Sequence, residues 1–122
     1  MSIAITAQRQ AVANAYGTAA PYGVLFNGVP ASTGASTNEL TGGSPAYARV
    51  ALSWGAATAA APSVITSTAA AFNVASGSTV DHAGTAVSAT AGTADIRDTS
   101  TVTSQAFASQ GTYTLTATYS QT

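Results

Sequence analysis

The side chains that could do chemistry in this chain are few enough to take one by one. His82 is the single histidine and follows Asp81 in a chain rich in Ser, so a Ser/His/Asp arrangement is the first to weigh. The Gly-x-Ser-x-Gly nucleophile elbow is missing, and adjacent residues on a strand point to opposite faces. The pair is therefore read as structural. Asp95 and Asp98 lie around Arg97 and could offer oxygen ligands to a calcium ion, but no Asp-x-Asp-x-Asp-Gly loop surrounds them. A turn carrying an Asp–Arg pair is expected there instead. Thr41-Gly42-Gly43-Ser44 is glycine-rich like a phosphate loop, yet no Lys and no helix pattern follow it, so it reads as a connection. Glu39 and Arg49 flank that connection, and a salt bridge between them would clamp it. Cysteine is absent, which removes disulfides, zinc fingers and Cys nucleophiles. The expectation is no catalytic residue, no cofactor and no metal: the chain is not read as an enzyme.

Composition carries the same message. Only 6% of the 122 residues are charged, against about a quarter in an ordinary soluble domain. With three Arg, no Lys and a formal net charge of -1, the chain cannot neutralise a row of phosphates or hold an anionic membrane surface. No nucleic-acid and no membrane partner is expected. The apolar fraction of 46% is mostly Ala, and Ser, Thr and Ala make up about half the chain. Val, Ile, Tyr, Phe and Trp nevertheless fall in spaced clusters, so the chain is read as folded rather than disordered. It holds no run of 18 apolar residues and no basic and apolar leader, and is expected to be made in the host cytoplasm without a signal peptide.

These residues need elements to position them, and the pattern supplies one helix and many short strands. Residues 2–16 read as helix, capped by Ser2 or Thr6, with Ile5, Val12 and Tyr16 on one face beside Ala4, Ala11 and Ala15. Gly17 is the expected C′ residue and Pro21 stops the helix, so the helical segment spans 2–17 and a β body spans 22–122 of a single domain. Tyr22, Val24 and Phe26 alternate into the tight-turn dipeptide Asn27-Gly28. Residues 30–45 form a Ser/Thr/Gly-rich loop. In 46–54, Ala48, Val50, Leu52 and Trp54 are expected to face the core, with Tyr47, Arg49, Ala51 and Ser53 outward. Within 64–74, Ala70, Phe72 and Val74 share a face before a turn at Ser76-Gly77-Ser78. Weaker strands at 79–83, 86–89 and 94–98 are separated by Gly84 and Gly92. A closing hairpin runs from 102–108 through Ser109-Gln110-Gly111 into 112–120, where Tyr113, Leu115, Ala117 and Tyr119 alternate with Thr. The fold class is mainly β: an antiparallel β-sandwich or jelly-roll-like barrel of about seven or eight short strands with one N-terminal helix.

Such a body has edge strands, and free-standing proteins guard theirs with Lys, inward charges or covering elements. This chain has almost none of these guards, so its edges are expected to be occupied by partner subunits. The stretch from Glu39 through Thr41-Gly42-Gly43-Ser44-Pro45-Ala46-Tyr47-Ala48-Arg49-Val50-Ala51 to Ser53-Trp54-Gly55-Ala56-Ala57 resembles a signature of small virion proteins of tailed phages, chiefly those infecting actinobacteria. Phe72-Asn73-Val74-Ala75-Ser76-Gly77-Ser78-Thr79-Val80 and the segment from Phe107 through Gln110-Gly111-Thr112-Tyr113-Thr114-Leu115 resemble further parts of that group. Its members are variously labelled minor capsid, head decoration, tail fibre or minor tail proteins.

The resemblance implies a virion component, and the function expected from it is capsid decoration on the outer surface of the phage head. In that picture the partners are the major capsid protein and other copies of the chain, as a homotrimer. The N-terminal helix, with Ile5, Val12 and Tyr16, or the C-terminal strand would reach a neighbour, while Glu39, Tyr47, Arg49 and Trp54 stabilise the fold. The alternative is a tail-associated protein that binds the host surface. Sugar sites present exposed aromatics beside carboxylates, and Tyr16, Tyr22 and Tyr47 are the tyrosines considered for that role.

Overall fold

The alternating Val, Phe, Tyr and Thr runs become strands, and the Ala-rich N-terminal segment becomes the helix. The structure, a computed structural model, describes residues 3–122. It contains α1 (Thr6–Ala19), β1 (Tyr22–Phe26), β2 (Val50–Ala51), β3 (Ser63–Thr66), β4 (Ala70–Val74), β5 (Thr79–Ala86), β6 (Ile96–Ala106), β7 (Gly111–Leu115) and β8 (Thr118–Gln121). One layer is a four-stranded antiparallel sheet in the order β2-β1-β5-β6, and the other is built from the antiparallel pairs β4-β7 and β3-β8. The fold is mainly β, small and sandwich-like.

The two pairs of the second layer are pieces of one ribbon. Ser63 to Thr66 pairs with Gln121 to Thr118, and Ala70 to Val74 pairs with Leu115 to Gly111. Three residues separate β3 from β4 while two separate β7 from β8, so the ribbon carries one extra residue at Ser67–Ala69. Ser67 closes this bulge: its N–H donates to the Ala117 carbonyl at 2.8 Å, and its hydroxyl accepts the Ala117 N–H at 2.9 Å.

Between the layers lie Leu25, Leu52, Phe72, Val74, Val80 and Phe107, with Tyr113, Leu115 and Ala117 packed against them. Ala70, Phe72 and Val74 share the inner face as expected, and Phe72 is wholly buried. The exposed Thr row at 112, 114, 116 and 118 faces away from that core. β1 is buried on both sides, because Val24 and Phe26 join Ala86 and Ile96 in a second cluster. The long connection after β1 lies beside this cluster, with the Ile96 N–H donating to the Gly34 carbonyl at 3.0 Å.

Several expectations are corrected. The helix starts later and ends later than read, because Ile5 takes the N-cap position with no side-chain cap and Gly17 lies inside the helix. Ser2 lies outside the described residues. Ile5 is 68% exposed, and the docked stripe is Arg9, Ala13 and Gly17, flanked by half-buried Val12 and Tyr16. Gly17 is there for close approach, since a Cβ would sit 3.1 Å from Trp54 Cγ and 3.2 Å from Ile65 Cδ1. The helix packs on β3 and β8. Asn27-Gly28 is no two-residue hairpin turn: Gly28 alone has positive φ, and the chain returns to β1 only at Glu39, where Asn27 N–H donates to the Asn38 carbonyl at 2.9 Å. Tyr47 and Arg49 are buried and Ala48 is exposed, the reverse of the expected faces.

The closing hairpin does not form either. β6 pairs with β5 in the first layer and β7 with β4 in the second, so residues 107–110 carry the chain from one layer to the other. Gly84 does not interrupt β5; it lies within the strand, at a point where any Cβ would collide with the Asp98 carbonyl of β6. Phe72→Ala, which empties the space between the layers, is expected to lower the unfolding free energy by about 3–5 kcal/mol. Thr114→Ala on the outer face should shift it by no more than about 0.5 kcal/mol. Urea denaturation of the two variants measures this, and equal losses would contradict the assigned faces.

Candidate functional site

With so few charges in the chain, the placement of each one is informative. Arg49 enters from the segment leading into β2, and its guanidinium is fully enclosed. Its Nε and Nη2 donate to Glu39 Oε2 and Oε1, both at 3.0 Å, a two-point pairing of fork to carboxylate. Nη1 donates to Asp95 Oδ1 at 2.6 Å and to the Ser88 carbonyl at 3.2 Å, and Nη2 also donates to the Thr93 carbonyl at 2.9 Å. All five N–H groups of the guanidinium are thereby used. Glu39 is equally saturated, accepting from the Tyr47 hydroxyl at 2.9 Å and the Gly92 N–H at 3.0 Å. Asp95 Oδ2 accepts the Ser88 N–H at 2.8 Å.

The expected Glu39–Arg49 clamp is present, and its second carboxylate, Asp95, was expected beside Arg97 instead. Tyr47 completes it: its hydroxyl accepts the Leu25 N–H at 3.1 Å and so ties the clamp to β1. Burial raises the Tyr47 pKa above its ordinary value, with the negative charge of Glu39 adding to it. Burial works against the Arg49 charge, yet the hydrogen bonds and charges of Glu39 and Asp95 raise its pKa above the ordinary value. For Asp95, burial would raise the carboxyl, but hydrogen bonds at Ser88 and Arg49 prevail and hold it below the usual carboxylate range.

A second lock holds the helix. Tyr16 stacks on Tyr119 of β8 with ring centroids 4.0 Å apart and meets Trp54 edge-on at 5.8 Å. Its hydroxyl donates to Asp98 Oδ2 of β6 at 3.1 Å and lies 3.0 Å from Thr85 Oγ1 of β5. Trp54 Nε1 donates to the Ala20 carbonyl at 2.9 Å, just past the helix end. Arg9 Nε donates to the Ala60 carbonyl, Gln10 Nε2 to the Ala57 carbonyl, and Asn14 Oδ1 accepts the Ala57 N–H, fastening the connection between β2 and β3 to the helix. The sequence reading missed Arg9, Gln10 and Asn14. Polar residues on an apolar helical stripe were the available signal.

The remaining constellations do not assemble into a reactive centre. His82 Nδ1 lies 2.9 Å from Asp81 Oδ1, so the pair is in contact rather than on opposite faces; a register irregularity between Val80 and His82 makes this possible. Asp81 also accepts the Gly28 N–H at 2.7 Å, and with the His82 hydrogen bond foremost its carboxyl is held below the usual range. Asp81 thereby pins the Gly28 bend. Among the described residues no group of three His, Asp or Glu could hold a metal ion. The Thr41-Gly42-Gly43-Ser44 segment is a turn, with Tyr47 N–H donating to the Gly42 carbonyl at 2.8 Å.

What the locks leave open is one side of the sandwich. β6 is an edge strand of 11 residues, nearly all exposed, and the order of pairing leaves β7 and β8 at the edge of the second layer next to it in the chain. A groove of about 190 Å³ runs in this seam, lined by Tyr16, Trp54, Asp98, Val102, Leu115 and Thr116 among others. Comparison with family models, with curated proteins and with solved structures finds no match. Arg49→Met should cost about 3–5 kcal/mol, because Glu39 and Asp95 are left buried and unpaired.

The Asp95 shift fixes a pH window. A depressed folded pKa stabilises the protein above the unfolded value of ~3.9, and that contribution is lost as pH falls through the folded value. Asp95→Asn should therefore lower the melting temperature near neutral pH and flatten the loss of stability on acidification below about pH 4. Thermal melts across that range check it, and parallel acid profiles for parent and variant would contradict it.

Proposed function

We propose that this chain is a structural subunit of a phage virion, a capsid decoration protein that binds the outer surface of the head and stabilises the major capsid protein lattice. The observation that carries this reading is the open side of the sandwich. An 11-residue edge strand rich in Thr and Ser, with Arg97 and Asp98 as its only charges and no Lys or Pro, presents a row of backbone donors and acceptors. An edge of that length is a template for another chain unless something guards it. A subunit held among lattice neighbours needs no guard, and its neutral faces do not repel adjacent copies. The resemblance of residues 39–57 to small virion proteins supports the same class. No cofactor, nucleic acid or membrane enters this function, and no helix among the described residues is long and apolar enough to cross a membrane.

Of the two attachment elements expected, the N-terminal helix or the C-terminal strand, the second is the one kept in this reading. With α1 packed on β3 and β8, the helix is part of the subunit's own body, so the contact with the lattice falls to β6 and the neighbouring β7–β8 edge. Other copies of the chain, as a trimer, and the major capsid protein are the proposed partners. Two measurements test this. Band quantitation of purified particles should show copies in proportion to the capsid lattice rather than the handful present at a tail tip. Thr101→Lys with Thr103→Lys on β6 should reduce occupancy on heads at least roughly tenfold, equivalent to about 1.4 kcal/mol of binding, while the isolated chain melts as before. Full occupancy by this variant would refute the edge contact, and tail-tip copy number would refute the head location.

A further inference from the structure

The groove in the open seam has a chemistry that edge pairing does not explain. One wall is aromatic: Trp54 and Tyr16 both line it, while Tyr119, stacked on the Tyr16 ring, does not. Asp98 lines it as well, and among the described residues it is the one charged side chain that does so. Ser100, two residues from Asp98 and so on the same face of β6, supplies a hydroxyl along the rim, while Thr99 and Thr116 belong to the opposite faces of their strands and border the groove with their backbone. The Ser100 hydroxyl has a long contact of 3.5 Å to the Thr101 carbonyl. The wall is also held in place before any ligand arrives. Tyr16 is fixed by its hydrogen bonds to Asp98 and Thr85, and Trp54 by its bond to the Ala20 carbonyl.

We infer that this groove is a binding site for a single neutral sugar residue. A pyranose ring has an apolar C–H face that packs on the electron-rich face of an aromatic ring, and an edge of hydroxyls that donate to a carboxylate and exchange hydrogen bonds with Thr and Ser. The groove brings Trp54 and Tyr16, the latter with one ring face covered by Tyr119, beside the Asp98 carboxylate. Its volume of about 190 Å³ is below the usual range for drug-sized ligands, ~300–1,000 Å³, and suits one ring rather than an oligomer. The carboxylate, with no cation beside it in the lining, disfavours phosphates, sulfates and uronic acids. Burial pushes the Tyr16 hydroxyl up to about 12, so it remains a donor to Asp98 Oδ2 across the working pH range; with the Thr99 N–H on Oδ1 at 2.9 Å, each carboxylate oxygen keeps one lone pair for the ligand. Tyr22 and Tyr47, the other tyrosines considered for a sugar site, do not line the groove, and Tyr47 is buried in the clamp.

The groove lies in the same seam as the proposed lattice contact, so sugar binding is tested on the isolated chain. Sugar binding can fail with head occupancy intact, and occupancy can fail with sugar binding intact. Trp54 is the only tryptophan and stands in the groove wall, so its fluorescence reports binding directly. The full chain is titrated with glucose, galactose, mannose and N-acetylglucosamine, with choline and inorganic phosphate as cationic and anionic competitors for the same groove. The expected result is a saturable change with at least one neutral sugar in the millimolar range, weakened at least fivefold by Asp98→Ala. The amide signals of Thr99, Ser100 and Thr116 should move in the parent during the same titration. Should Asp98→Ala melt early, Ser100→Ala provides the second variant, with the same weakening expected. No saturable response to any of the four sugars, amide shifts that map elsewhere, or an equal response to choline or phosphate would overturn the assignment.

Discussion

The buried guanidinium of Arg49 is the constraint on which the rest of this molecule depends. A cation taken out of water is tolerable only when every donor is met. Here all five N–H groups are met, by two carboxylates and two carbonyls from segments far apart in the chain. That requirement brings residue 39, the approach to β2 and the turn from 88 to 95 to one end of the sandwich. Without it the long connection after β1 and the excursion between β5 and β6 are held by scattered backbone bonds and a few side-chain bonds such as those from Gly28 to Asp81 and from Ser36 to Gly92. Apolar packing tolerates sliding, whereas a fork paired at two points does not, so the clamp also sets the register in which Tyr47 reaches β1.

How much of this the chain announces beforehand depends on the kind of signal. Phe72 and its neighbours at 70 and 74 were legible because a period of two with a large side chain has one physical reading. The Thr rows of β7 and β8 were legible for the same reason. Glu39 and Arg49 could be paired because they flank one connection and charges are scarce. Asp95 could not, since Arg97 stands two residues away and offers a local partner that the fold ignores. The helix face was misjudged because Ala occupies most of its positions, so hydrophobicity does not distinguish Ala11 or Ala15 from Ala13. Steric fit against Trp54 and Ile65 chose the stripe, and steric fit is invisible to periodicity.

The missing closing hairpin has a comparable cause. Residues 102–120 show strong alternation interrupted by a turn-like Ser-Gln-Gly, and alternation says which face a residue takes without saying which strand lies beside it. Phe107 is buried between the layers, so the corner is anchored in the core and the two runs separate into different sheets. The groove was out of reach for the same reason: it is made by β5, β6, the β7–β8 junction, the helix and Trp54, which come together only when that corner is turned. The sequence did point to Tyr16 among its possible sugar contacts, but Trp54 and Asp98 enter through tertiary placement alone.

The excursion between Asn27 and Asn38 closes on itself at a narrow neck. Its two ends are joined by a backbone bond of 2.9 Å, and Phe26 pairs with Glu39 immediately below. Val29, whose carbonyl accepts the Asn38 side-chain amide at 2.9 Å beside the neck, is 74% exposed and belongs to none of the three apolar clusters. Because the neck and the bonds at Gly34 and Ser36 hold the excursion in place, residues 30–33 between them are free to vary in length and composition at a small entropic penalty that grows only with the logarithm of loop length. The molecule thus carries a natural graft point, a place where a foreign peptide could be displayed on a charge-poor scaffold while the clamp and the open edge stay as they are.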